Sequence, residues 1–189
     1  MWRLINLIHA ASRVFNWFRL RGLPEHQRRV RQARRVLTKL RTIRGVAAEA
    51  RLFAYLRKID PLVFEELVLC AFEEAGAFVV RNLRYSGDGG IDGRVWIPGG
   101  GWHALQAKWY GAHINHGHIT AFGAALARSG HHRGCFVHCG RTGSAAHHHL
   151  KDRRIILISG DRLLALVCSR RLPPPQSNDN GSAAPPARK

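Results

Sequence analysis

Apolar positions recur at helical spacing through the first 56 residues, switch to alternation and short runs up to residue 168, and fade after it. Leu4, Ile5, Leu7, Ile8, Ala11, Val14, Phe15 and Phe18 follow a helical period, with Trp2 and Trp17 beside them. Gly22-Leu-Pro24 breaks that period. A second helix is expected from about Glu25, with Val30, Ala33, Leu37 and Leu40 on one face. The spacing lets it run on past Gly45 through Ala50, Phe53 and Leu56.

Beyond this region the chain punctuates itself. Asp60-Pro61 supplies an N-cap and a proline suited to the first helical position, and Gly76 ends the helix they open. Strands are expected at 78–80, 91–97, 102–109, 135–139 and 155–158, with turns at Ser86–Gly90 and Pro98–Gly101. Helices are expected at 119–129, 144–150 and 161–167. Hairpins followed by helical crossovers imply an α/β (α+β) fold, a mixed β-sheet flanked by helices. The expected organisation is a helical, basic N-terminal extension over 1–56, one α/β domain over 57–168, and a disordered tail over 169–189. The tail, rich in Pro, Ser, Asn and Ala, holds too little apolar surface to offset the entropy of ordering.

Composition narrows the function. A hydrophobic fraction of 46% supports a packed core, while 30 Lys and Arg against 12 Asp and Glu give a net charge of +18. Such a field recruits a polyanion, either nucleic acid or an anionic membrane surface. Cys70, Cys135, Cys139 and Cys168 form no C-x-x-C pair, which argues against a disulfide scaffold or a zinc ribbon and fits a reducing cytoplasm. The apolar N-terminal stretch is interrupted by Asn6, His9, Ser12 and Arg13, unlike an export signal. His113, His116 and His118 have no acid or cysteine beside them and make a weak metal site.

The strongest chemical signal lies at residues 88–108. Asp88-Gly-Gly-Ile-Asp92-Gly leads into a strand and turn, and Gln106-Ala-Lys108 follows on the next strand. Side chains alternate along a strand, so Gln106 and Lys108 share one face while Leu105 and Ala107 turn into packing. A hairpin can bring Asp92 beside them. Asp92 and Gln106 then offer oxygen ligands for a hard cation such as Mg²⁺, with Mn²⁺ as a substitute. Lys108 can orient the attacking water and screen charge building on phosphorus.

These residues resemble the Mrr-like restriction endonuclease family, within the PD-(D/E)xK, restriction-endonuclease-like superfamily. The resemblance covers about residues 60–168. It rests on Phe64-Glu65, Gly87–Gly93, Gln106-Ala-Lys108, Gly134–Gly140 with Ser144-Ala-Ala, and Ile155–Leu163. It implies metal-dependent cleavage of double-stranded DNA, with Asp92 and Gln106 as metal ligands, Lys108 as catalytic lysine and Glu65 as an auxiliary acid. Gln106 departs from the wider superfamily, where an acid is usual. A role in defence against foreign DNA also rests on the resemblance, and a DNA-binding module with weak or no cleavage is the alternative.

Arg28, Arg31, Arg34, Arg35, Lys39 and Arg41 are candidate phosphate contacts, the alternative being a solvated basic face. Trp109 and Tyr110 are candidates for stacking against DNA, or else core and rim aromatics. A double-strand cut would need two sites, which leaves a homodimer open. Attachment of residues 1–20 to a membrane surface is the remaining alternative for the first helix.

Overall fold

The computed structural model describes residues 2–84, 89–143 and 152–174, with side chains described from Asn6 onward. Among these residues the chain forms α1 (Trp2–Leu20), α2 (Pro24–Leu40), α3 (Ala48–Leu56), α4 (Pro61–Glu74), β1 (Phe78–Arg81), β2 (Gly93–Ile97), β3 (Gly101–Lys108), α5 (His116–Arg128), β4 (Gly134–His138), β5 (Ile155–Ile158) and α6 (Gly160–Ser169).

The five strands form one mixed sheet in chain order. β1–β2 and β2–β3 are antiparallel, and β3–β4 and β4–β5 are parallel. A short turn suffices for the first two connections, whereas a parallel pair needs a crossover such as α5. This is the expected mixed sheet. Alternation then sorts side chains to two faces: Leu105, Ala107, Val137, Ile156 and Ile158 pack with α4 and α6, while Ala104, Phe136, Ile155 and Leu157 pack with α5. Gly134 is required by the second packing, because a Cβ there would lie 2.6 Å from the Phe122 ring.

Layers follow from the apolar faces. α4 is buried along most of its length because it lies between the sheet and α2, which contributes Ala33, Val36, Leu37 and Leu40 to the same core. α1 uses its inner face differently. The hydroxyl of Ser12 accepts from Val79 N at 3.0 Å, and Asn16 Nδ2 donates to Val79 O at 2.7 Å while its Oδ1 accepts from Arg81 N at 3.2 Å. The open edge of β1 is thereby satisfied by two polar side chains.

A buried ion network ties these elements together. Arg81 on β1 donates to Glu66 Oε2 at 3.0 Å and Glu73 Oε1 at 3.2 Å, both on α4. Arg34 of α2 and Ser12 of α1 also bind Glu73. Burial pushes the Glu73 carboxyl up, but the Arg81 and Arg34 guanidinium groups outweigh that and hold it below the ordinary value.

Several boundaries differ from the expected ones. The second helix does not continue through Gly45: it stops at Leu40, and α3 begins afresh at Ala48. Gly45 and Ala47 both take left-handed backbone conformations, at φ 88° and 58°, which end one helix and start another. β2 starts at Gly93, so Asp92 stands just before it. α5 starts three residues early because Asn115 caps it, accepting from Gly117 N at 2.9 Å. Leu172, placed in the tail, packs against the core. The expected helix at 144–150, Asp88 and residues 175–189 lie outside the described residues.

Candidate active site

Asp60 opens α4 by accepting from Leu62 N at 2.9 Å and Val63 N at 3.2 Å, with Pro61 at the first helical position. One turn further, Glu65 reaches a small cleft that it lines together with Asp92, Asn82, Arg84, His26, Glu66 and Leu69. A helix and a strand start are thus brought to the same place.

Asp92 is fixed by the neighbouring strand. Its backbone N donates to Leu105 O at 2.8 Å, and its carboxylate Oδ2 accepts from Ala107 N at 2.6 Å. Ala107 lies between Gln106 and Lys108, so the acid is bonded to the very segment that carries them. The antiparallel register, with Gly93 opposite Leu105, is what makes this meeting unavoidable.

Gln106 is almost wholly buried, at 5% exposure, and its Oε1 has no hydrogen-bond partner among the described residues. An orphaned buried carbonyl oxygen is costly unless something electropositive satisfies it. Gly90 makes room for this amide: a Cβ there would lie 2.9 Å from Gln106 Nε2, and its φ of 85° is itself left-handed. Lys108 ends β3 half-buried, opposite His138 of β4 in the parallel register. A carboxylate, an unsatisfied carbonyl oxygen and a lysine thus come from adjoining positions of one hairpin. Oxygen donors of this kind fit a hard divalent cation.

Three groups at the cleft carry no obvious mark in the sequence. Asn82 donates from its backbone to Asp92 O at 3.4 Å and from its side chain to Ile91 O, which fixes the segment entering the site. His26 of α2 contacts Glu66 Oε1 at 3.3 Å and Leu83 O at 3.0 Å. Arg84 adds a cation at the rim. The only local signal for Asn82 and Arg84 is their place just before the glycine-rich turn.

The remaining sequence candidates divide. Arg28, Arg31, Arg35 and Lys39 are exposed on the outer side of α2, with Arg28 bonded to Glu25 at 3.0 Å and Lys39 4.8 Å from the Tyr55 ring centroid. Arg34 binds Glu73, and Arg41 binds Glu74 and, at 2.8 Å, Val167 O, so both hold helices together. Trp109 donates to Leu56 O at 3.1 Å and packs on the core. Tyr110 bonds His118 Nδ1 at 2.6 Å and meets the His138 ring edge-on, and burial pushes its phenol up to about 12. Among the described residues no group of three or more His, Cys, Asp or Glu is gathered for a metal ion.

Residues 56–167 match the family model Mrr_cat, described as restriction endonuclease. A solved structure, the MspJI restriction endonuclease in complex with a 27-mer oligonucleotide, is similar at 25% identity with a TM-score of 0.46. The similarity covers 68% of this chain and 32% of that one, so the chain spans about a third of its length. No curated protein matches.

Proposed function

The chain belongs to the restriction endonuclease family, and from that premise we propose that it is a divalent-metal-dependent endonuclease of double-stranded DNA, acting through Asp92, Gln106, Lys108 and Glu65. The observation that carries the reading is the bond from Ala107 N to the Asp92 carboxylate, which joins the acid to the Gln106–Lys108 segment. The orphaned Gln106 oxygen supports a cation there.

Asp92 and Gln106 would hold the metal ion, Mg²⁺ with Mn²⁺ as a substitute. When bound it supplies Lewis acidity toward a phosphate oxygen and a more acidic water. The chain's own groups do the rest. The Lys108 ammonium orients the water and offsets negative charge as its oxygen bonds to phosphorus and one phosphorus–oxygen ester bond breaks in line. Glu65, on the cleft it shares with Asp92, accepts the proton of the attacking water, and the departing oxygen takes its proton from solvent water. Phosphates flanking the cut are contacted by Arg84 and by the exposed Arg28, Arg31, Arg35 and Lys39, while Arg34 and Arg41 serve the ion pairs between helices. Restriction of foreign DNA is the corresponding role, carried by family alone.

The test is plasmid cleavage over a Mg²⁺ and Mn²⁺ series. The parent protein should nick or linearise DNA with metal and stop when EDTA removes it. Asp92→Ala and Lys108→Ala should each lower the rate by about 10²–10³-fold while leaving DNA binding within a few-fold. A parent that binds DNA but cuts in neither metal would instead favour a binding module, a reading that the neutral Gln106 amide supports.

A further inference from the structure

The first helix carries apolar residues on its outer side as well as its inner one, where Leu20 is buried and Phe15 packs on Phe78. Its buried side carries Ser12 and Asn16, which are spent on the edge of β1. Its outer side carries Leu7, Val14, Trp17 and Phe18, exposed at 69%, 48%, 56% and 62%. At 100° per residue, Leu7, Val14 and Phe18 fall on one line, with Trp17 on its flank. An ordinary surface helix is polar on its outer side, so this apolar stripe is available to something other than the chain's own core.

The charges around the stripe identify the occupant. Arg3, Arg13, Arg19 and Arg21 belong to this helix and its end, and residues 1–24 contain no Asp or Glu. The Arg21 guanidinium lies 5.4 Å from the Trp17 ring centroid, whereas Arg19 turns toward β1 and donates to Arg81 O at 3.4 Å. Such an arginine as Arg21 covers aromatic surface with its stem and keeps the charge at its margin. A second copy of the helix would set arginine against arginine with no carboxylate to pair them. DNA would satisfy the charge but leave the aromatic groups in water. A surface both anionic and apolar just beneath satisfies both, which describes the headgroup region of an anionic lipid bilayer. No helix among the described residues is long and apolar enough to cross a membrane, so α1, about 28 Å long, would lie along the surface.

We propose that the outer face of α1 is a docking face for anionic phospholipid membranes, with Leu7, Val14, Trp17 and Phe18 entering the interface and Arg13 and Arg21 meeting the headgroups. This holds whether or not the chain cuts DNA. The full chain is floated with vesicles of phosphatidylcholine alone and of phosphatidylcholine mixed with phosphatidylglycerol, at low salt and at about 0.5 M NaCl. The comparison is with Trp17→Ser/Phe18→Ser and, on the same stripe, Leu7→Ser/Val14→Ser. Circular dichroism and the melting midpoint verify that each variant is folded.

Mixed vesicles should retain the parent at high salt, where general attraction of a basic protein is screened. Each variant should bind at least about tenfold more weakly there. Loss of all parent binding in salt, with no difference from the variants, overturns the proposal. So does a parent dimer that the Trp17→Ser/Phe18→Ser change converts to monomer while mixed vesicles bind neither form, since a second copy then covers the face.

Discussion

His138 ends β4 beside Lys108, fully buried, and burial pushes its imidazole down to about 4. The folded chain therefore keeps it neutral while the unfolded chain, with an ordinary imidazole near 6.5, binds a proton below that pH. Its contribution is present in full above about pH 6.5 and is lost as pH falls toward 4, about 3 kcal/mol in all. The urea midpoint should drop across that window, and His138→Phe should remove the steeper part of the drop. His103, also lowered by burial, leaves a residual slope in the variant. Equal slopes for parent and variant would show that His138 is not held neutral. At this scale the geometry of the candidate site was partly legible. Asp92, Gln106 and Lys108 stood out because a strand repeats every second residue and a short turn fixes which residues face each other. Asn82, His26 and Arg84 did not, because their place depends on how α2 and α4 pack, and 40 positions separate His26 from Glu66. The commitment of Arg34 and Arg41 to Glu73 and Glu74 was hidden for the same reason.

Among the elements, α1 departs most from what apolar periodicity suggests. Period alone would turn Leu7, Val14 and Phe18 inward, yet an open strand edge presents amides and carbonyls that only polar groups can satisfy. Ser12 and Asn16 win the inner face because leaving Val79 N, Val79 O and Arg81 N unpaired would cost about 1–3 kcal/mol each. Accordingly, Ser12→Ala/Asn16→Ala should destabilise the chain by about 3 kcal/mol or more in urea titration, whereas Leu7→Ser should change stability by less than about 0.5 kcal/mol. A larger loss from Leu7→Ser would place that residue in the core. Among the described residues, strands and helices of the middle region were readable to within a few residues, since caps, glycines and alternation are local. The break between α2 and α3 was not, because Ala47 adopts a left-handed conformation that no residue type announces.

For the molecule as a whole, the nuclease reading makes salt the main control of DNA affinity, because the net charge is +18. Under the nuclease reading, binding should weaken by about 10²–10³-fold between 50 and 200 mM salt. Replacing Arg28, Arg31, Arg35 and Lys39 together by Gln should flatten the slope of log K against log salt by up to about 3–4. Fluorescence anisotropy with a labelled duplex measures both, and an unchanged slope would put α2 away from the DNA. Overall charge was plain in the sequence, but which cations are spent internally was not: Arg81 is fully buried between Glu66 and Glu73.

The strands lie side by side in the order in which they are encoded. A chain emerging from the ribosome can therefore add each strand to the rim left by the one before, without threading a later strand between two earlier ones. The exposed rim at any moment belongs to the newest strand, because α1, synthesised first, is already present to cover the oldest. Once β3 has cleared the ribosome, the hairpin that carries Asp92, Gln106 and Lys108 should form before β4 and β5 are added to it.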